Sequence, residues 1–95
     1  MTTITVRDLK ALIGSINLID IRNGVSYNNN HILGAKNIDY DKLINEPRKY
    51  LNMGEKYYFY CQKGMRSHKL CSYLDALGYN VVNVAGGYEA WILEI

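Results

Sequence analysis

The apolar run Tyr57-Tyr58-Phe59-Tyr60 ends at Cys61, and the polar stretch Gln62-Lys63-Gly64-Met65-Arg66-Ser67 leads on into a segment where Leu70, Cys71, Leu74 and Leu77 share one helical stripe. A strand with helices before and after it in sequence belongs in a parallel sheet whose two faces are covered. The rest of the chain repeats that alternation. A short strand near Ile4 precedes a helix in which Val6, Leu9, Leu12 and Ile13 recur at helical spacing, with Thr5 and Asp8 forming a capping-box pattern. Asn17-Leu18-Ile19-Asp20-Ile21 reads as a buried strand that delivers Asp20 and Arg22 to a loop.

Asn23-Gly24 and Asn28-Asn29-Asn30 predict turns around at most one helical turn, and Lys36-Asn37-Ile38 a brief strand. Tyr40 to Tyr50 reads as a helix broken near Pro47, after which Asn52-Met53-Gly54 turns the chain into the strand Lys56 to Tyr60. The helix from Ser67 ends before Gly78, which suits a left-handed terminus. Val81 to Val84 forms the last predicted strand and Gly86-Gly87 a tight turn. Tyr88, Trp91, Ile92 and Ile95 mark one face of a closing helix. The expected architecture is α/β, with a mainly parallel central sheet of about five short strands and helices on both faces.

A chain of 95 residues with 48% hydrophobic content fits one small domain, residues 1–95, with a core that needs no metal or disulfide staple. Eleven basic residues against nine acidic ones leave a net charge of +2, too small and too dispersed for nucleic acid to be the main partner. The nine tyrosines do not change that, because no basic stripe lies beside them. No apolar run approaches the ~18 residues of a membrane span, and the start carries no charged leader followed by an apolar block. Neither a membrane partner nor export is expected, and the setting is read as cytoplasmic. Cys61 and Cys71, with nine residues between them, match neither a redox CxxC pair nor a zinc set, and His31 and His68 do not complete one. Free thiols and no metal are therefore expected.

Chemistry concentrates in the Cys61 loop. Functional groups in parallel sheets gather beyond the carboxyl ends of the strands, where Cys61 stands. The loop then enters a helix N-terminus, whose free N–H groups and dipole favour thiolate over thiol. Gly64 allows successive N–H groups to converge on one atom. Lys63 and Arg66 add positive charge, and Arg66 can alternatively brace the loop. A buried structural cysteine is the competing reading, but the polar neighbours Gln62, Lys63, Arg66 and Ser67 predict an exposed, functional loop.

This loop resembles the active-site loop of rhodanese-type sulfurtransferases, C-x-x-G-x-R-S, at every fixed position. Leu18-Ile19-Asp20-Ile21-Arg22 is similar to that family's LIDVR strand, His31-Ile32-Leu33-Gly34-Ala35-Lys36-Asn37-Ile38 to its HIPGAxNI segment, and Gly86-Gly87-Tyr88-Glu89-Ala90-Trp91 to its GGxxAW ending. The resemblance implies a persulfide carried on Cys61, cradled by Gln62, Lys63, Gly64, Met65, Arg66 and Ser67. The sulfur would come from a small donor such as thiosulfate and pass to a thiol acceptor, with a protein thiol among the acceptors, by ping-pong kinetics and without a cofactor. The C-x4-R spacing of Cys61 and Arg66 matches sulfur transfer, whereas related phosphatase-like loops use C-x5-R. Two other readings stand beside this one: a sulfur-relay or redox module serving a protein thiol, and a docking domain that retains only the fold.

Asp20 and Arg22 resemble the family's strand-end pair and are read as an ion pair that orders the loop. Ser26 stands where an acidic partner of that arginine is usual, which would leave Arg22 free to find another carboxylate or an anionic substrate. Asn30 stands in place of a glycine and is expected to hold a left-handed backbone, while Leu33 replaces a proline. His31 is expected to brace its loop rather than act as a base, and His68 to be exposed and neutral. Ser67 is read as the cap of its helix, with its hydroxyl available to the sulfur. Cys71, on the apolar stripe and several helical turns from the loop, is read as core.

Overall fold

A computed structural model describes residues 1–94. Five strands, β1 (Thr2–Ile4), β2 (Asn17–Asp20), β3 (Lys36–Asn37), β4 (Lys56–Tyr60) and β5 (Asn80–Val84), form one sheet in the order β1-β5-β4-β2-β3. Every pairing is parallel. Among the described residues there are also six helices: α1 (Val6–Lys10), α2 (Gly24–Asn29), α3 (Tyr40–Asn45), α4 (Pro47–Tyr50), α5 (Met65–Ala76) and α6 (Gly87–Glu94).

The central strand β4 explains the layering. Its alternate side chains enter opposite cores, Tyr57 and Phe59 on one face and Tyr58 and Tyr60 on the other, and all four are buried. The first core is sealed by Leu43 of α3 and by Leu70, Cys71 and Leu74 of α5. Val6 and Leu9 of α1 seal the second, with Tyr88 and Trp91 of α6 half-buried against it. Strands covered on both sides must be apolar nearly throughout, as Val81, Val82 and Val84 of β5 illustrate.

Several local expectations are corrected. The α5 stripe ends at Leu74, since Leu77 lies past the helix and is 45% exposed. On α6, Ile92 faces outward while Ala90 joins the packed face; Ile95, assigned to that face in the sequence, lies outside the described residues. Helix α1 ends at Lys10, although Leu12 and Ile13 still pack from the turn beyond it. Helix α2 is a full six residues because the Asn23 side chain accepts from the Ser26 N–H at its start, the work of an N-cap rather than of a turn. Asn30 has φ of −168°, extended backbone open to any residue, so no left-handed conformation is needed there. Thr5 does cap α1, accepting from the Asp8 N–H. Among the described residues, no helix is long and apolar enough to cross a membrane.

Parallel pairing places the carboxyl ends of β2, β4 and β5 on the same edge. Asp20, Cys61 and the Gly86-Gly87 turn, distant in sequence, therefore meet there.

Candidate active site

Tyr60 ends β4, and Cys61 follows it with only 4% of its surface exposed. The loop then bends at Gly64, whose φ of +98° puts it in the left-handed region. A side chain there is excluded on a second count, because a Cβ would stand 2.8 Å from the Gly86 nitrogen. The bend turns the loop amides inward. Gly64 N–H donates to the Cys61 Sγ at 3.2 Å and Ser67 N–H at 3.3 Å, so two backbone donors converge on the sulfur at the start of α5.

Helix α5 begins at Met65, two residues earlier than the sequence suggested, with Gly64 in the capping position. Ser67 is therefore the third residue of the helix rather than its cap. Its hydroxyl lies 3.4 Å from the Cys61 thiol, which donates to it, and donates in turn to Asn83 Oδ1 at 2.6 Å. Ser67 and Asn83 are both buried. Asn83 was not singled out in the sequence, although a polar residue inside the valine run of β5 was the available signal.

The outer side of the loop is held by the start of α6. Tyr88 N–H donates to the Cys61 carbonyl at 2.9 Å and Glu89 N–H to the Gln62 carbonyl at 3.0 Å. Gly87, at φ +60°, permits this approach: a Cβ on it would stand 2.4 Å from the Cys61 carbonyl oxygen.

Asp20 and Arg22 form a buried fork-to-fork pair, with Arg22 Nη2 2.8 Å from Asp20 Oδ2 and Nε within 3.2 Å of both carboxylate oxygens. Arg22 is consequently not free to seek another carboxylate. Its Nη1 donates to Gln62 Oε1 at 3.1 Å, its Nη2 also donates to the Asn30 carbonyl at 2.6 Å, and its guanidinium lies 4.3 Å from the centre of the Tyr88 ring. Burial works against the Arg22 charge, but hydrogen bonding and Coulomb attraction from Asp20 outweigh it and raise its pKa. The pair ties the end of β2 to the Cys61 loop and to α6.

Lys63, Met65 and Arg66 stand exposed at the rim. The Arg66 guanidinium sits 4.3 Å from the centre of the Tyr40 ring, so it braces α5 against α3. An open cavity of about 250 Å³ is lined by Cys61, Gln62, Lys63, Met65 and Arg66. His31 braces its own segment, with Nδ1 2.8 Å from the Tyr27 carbonyl and its ring stacked on Tyr27 at 3.8 Å. Both cysteines are free thiols. Cys71 is fully buried, and burial, with smaller contributions from Asp75 and Cys61, pushes its thiol up to about 12. It shares a core cluster with Cys61, closer to the loop than the sequence suggested.

The profile of the rhodanese-like domain family matches residues 5–94. The chain belongs to that family. GlpE of Shewanella oneidensis, named a thiosulfate sulfurtransferase, is 33% identical over 81% of this chain and 76% of its own length. YtwF of Bacillus subtilis is 46% identical over 48 residues, a match that spans half of this chain and 47% of that relative's length. The crystal structure of SSP1007 from Staphylococcus saprophyticus superposes with a TM-score of 0.88 at 34% identity, covering 96% of this chain and 93% of that one. The rhodanese-like fold is thus a mainly parallel five-stranded sheet flanked by helices, with the glycine-bent cysteine loop at its carboxyl edge.

Proposed function

We propose that this rhodanese-like chain is a sulfurtransferase, acting as a single domain of residues 1–95, with Cys61 as nucleophile and persulfide carrier. The observation that carries the reading is the sulfur itself: Cys61 lines an open cavity, and its Sγ receives N–H donors from Gly64 and Ser67. Preorganised donors of this kind stabilise charge as it develops on a reacting atom.

With thiosulfate as donor, the Cys61 thiolate attacks the outer sulfur. A Cys61 S–S bond forms, the donor's S–S bond breaks, and sulfite leaves with the electron pair. An acceptor thiolate, or cyanide, then attacks the outer sulfur of the persulfide, and Cys61 departs as thiolate. Met65 and Arg66, in the first turn of α5, offer backbone N–H groups that the helix does not use internally, which suits the added sulfur. Gln62, steered by Arg22, and Lys63 complete the cavity wall. Asp20 and Arg22 support the loop rather than touch the substrate.

Docking without chemistry fits less well, since nothing in a binding role needs two amides aimed at a thiol. Delivery to a protein thiol remains within the same mechanism, because the cavity opens at an exposed rim. The two free thiols suit a reducing, cytoplasmic setting.

The test is intact-protein mass after incubation with thiosulfate, for the wild type and Cys61→Ser. The expected result is a gain of one sulfur atom that cyanide removes and that Cys61→Ser lacks. No gain on the folded wild type, or an equal gain on the variant, would refute the reading.

A further inference from the structure

We infer that Asn83 is a positioning residue for Cys61: it holds the Ser67 hydroxyl proton away from the sulfur and so sets the balance between thiol and thiolate in the loop. The inference rests on the reading of Cys61 as the sulfur-carrying nucleophile and concerns how that nucleophile is controlled.

A serine hydroxyl has one proton and two lone pairs. Around Ser67 Oγ stand the Asn83 Oδ1 at 2.6 Å, the Gly64 carbonyl at 3.2 Å and the Cys61 Sγ at 3.4 Å. A separation of 2.6 Å fits an O–H···O bond and is short for N–H···O, so the carboxamide oxygen is the atom facing Ser67. The single proton therefore points to Asn83, and the oxygen presents lone pairs to the sulfur. That arrangement accepts an S–H and disfavours a sulfur anion, while the Gly64 and Ser67 amides favour the anion. The sulfur thus sits between opposed influences, and the Ser67 rotor is the one that can reverse. When the charge develops on Cys61, the rotor must leave Asn83 to donate to sulfur.

Asn83 reaches this position only through the sheet. It pairs in register with Thr3 of β1 and Phe59 of β4, its side chain points toward α5, and it is 3% exposed. A buried carboxamide among valines is unfavourable unless bonded, and the Ser67 bond is the one found for its oxygen.

The charged and titratable groups on the elements packed about the Cys61 loop are Lys63 on the loop, Arg66, His68 and Cys71 on α5, Tyr40 of α3 beside Arg66, Tyr88 and Glu89 on α6, and the Asp20–Arg22 pair behind Gln62. None is altered by substitution at position 83, so a change in Cys61 titration isolates the rotor. The experiment is the pH dependence of iodoacetamide alkylation at Cys61, resolved from Cys71 by peptide mass, in wild type, Asn83→Leu, Ser67→Ala and the double variant. Asn83→Leu is expected to lower the midpoint by about one pH unit, the scale of one added hydrogen bond to a charged atom. In the Ser67→Ala background the same substitution is expected to shift nothing. Asn83→Ala repeats the test should leucine impair folding. An unchanged midpoint in both variants at position 83, or an equal shift with and without Ser67, would overturn the inference. A merely structural Asn83 would lower thermal stability without a Ser67-dependent change in the profile. Alkylation needs no sulfur donor, so this result is read independently of the persulfide test.

Discussion

Gly87→Ala probes how the loop and α6 fit together, and Gly14→Ala is its control. Both glycines have positive φ, +60° and +93°, so both substitutions incur the left-handed strain of roughly 1–2 kcal/mol. They differ in surroundings. A Cβ at position 14 meets nothing within 4 Å, whereas at position 87 it would stand 2.4 Å from the Cys61 carbonyl oxygen and 2.9 Å from the Gln62 carbonyl carbon. Relief requires the start of α6 to retreat by roughly 1 Å, toward ordinary contact distances. That movement breaks the hydrogen bonds from Tyr88 and Glu89 to the loop carbonyls, each contributing about 1 kcal/mol net. The total is about 3.5 kcal/mol for Gly87→Ala against about 1.5 kcal/mol for Gly14→Ala. At 4–8 °C per kcal/mol, the thermal midpoint falls by roughly 14–28 °C in the first case and roughly 6–12 °C in the second. Near-UV circular dichroism of Trp91 and the tyrosines reads both transitions. Below the transition, Gly87→Ala is further expected to slow sulfur transfer about 100-fold, since the loop carbonyls of Cys61 and Gln62 lose the amides that hold them and a reacting atom misplaced by about 1 Å costs that much. Equal loss of stability in the two variants would show that the close approach at Gly87 is not what holds α6 on the loop.

Three further outcomes follow from the geometry. Iodoacetamide is expected to label Cys61 well before Cys71 at neutral pH, because Cys71 is fully buried with its thiol pushed up to about 12; a mass-resolved time course with equal rates would contradict it. The same raised thiol predicts alkaline destabilisation: the unfolded chain loses this proton near its ordinary value of 9.0 while the fold retains it to about 12, so stability falls across that window by up to about 1.4 kcal/mol per pH unit. Denaturant titrations of wild type and Cys71→Val should differ in that slope, while buried Tyr60, raised by burial and by Asp20, supplies a share common to both. Arg22→Ala is expected to destabilise by roughly 3–5 kcal/mol, since it strands the buried Asp20 carboxylate, and the double variant Asp20→Leu/Arg22→Met to lose less. Chemical denaturation that ranked the double variant lower would refute the stranded-charge account.

What could be read from the sequence divides along physical lines. The strands were legible because a parallel sheet covered on both faces demands nearly continuous apolar runs, and Tyr57–Tyr60 and Val81–Val84 supply them. Their exact limits were less so, since residues such as asparagine serve caps and turns alike: Asn23 looked like half of a turn and is an N-cap. Ser67 invited the same misreading in reverse. As a favoured cap residue it suggested where α5 begins, yet a left-handed Gly64 starts the helix two residues earlier and leaves Ser67 inside it.

The candidate site divides in the same way. Its sulfur-facing half, from Cys61 to Ser67, is contiguous, so spacing alone discloses which amides can reach which atom. Its supporting half comes from three other chain segments. Even there, part was within reach: Asp20 ends β2 and its carboxylate also accepts from the Arg22 backbone N–H two residues on, a local turn contact, so the Asp20–Arg22 pairing needed no tertiary information. The α6 amides on the loop carbonyls and the Asn83 contact with Ser67 did need it, because they depend on β5 lying beside β4 in one particular register. A one-residue slip in that register would turn Asn83 to the opposite face and put a valine against Ser67. The parallel pairing of β4 and β5 is therefore part of the proposed chemistry: it decides what the Ser67 hydroxyl meets, and through it what the Cys61 sulfur meets.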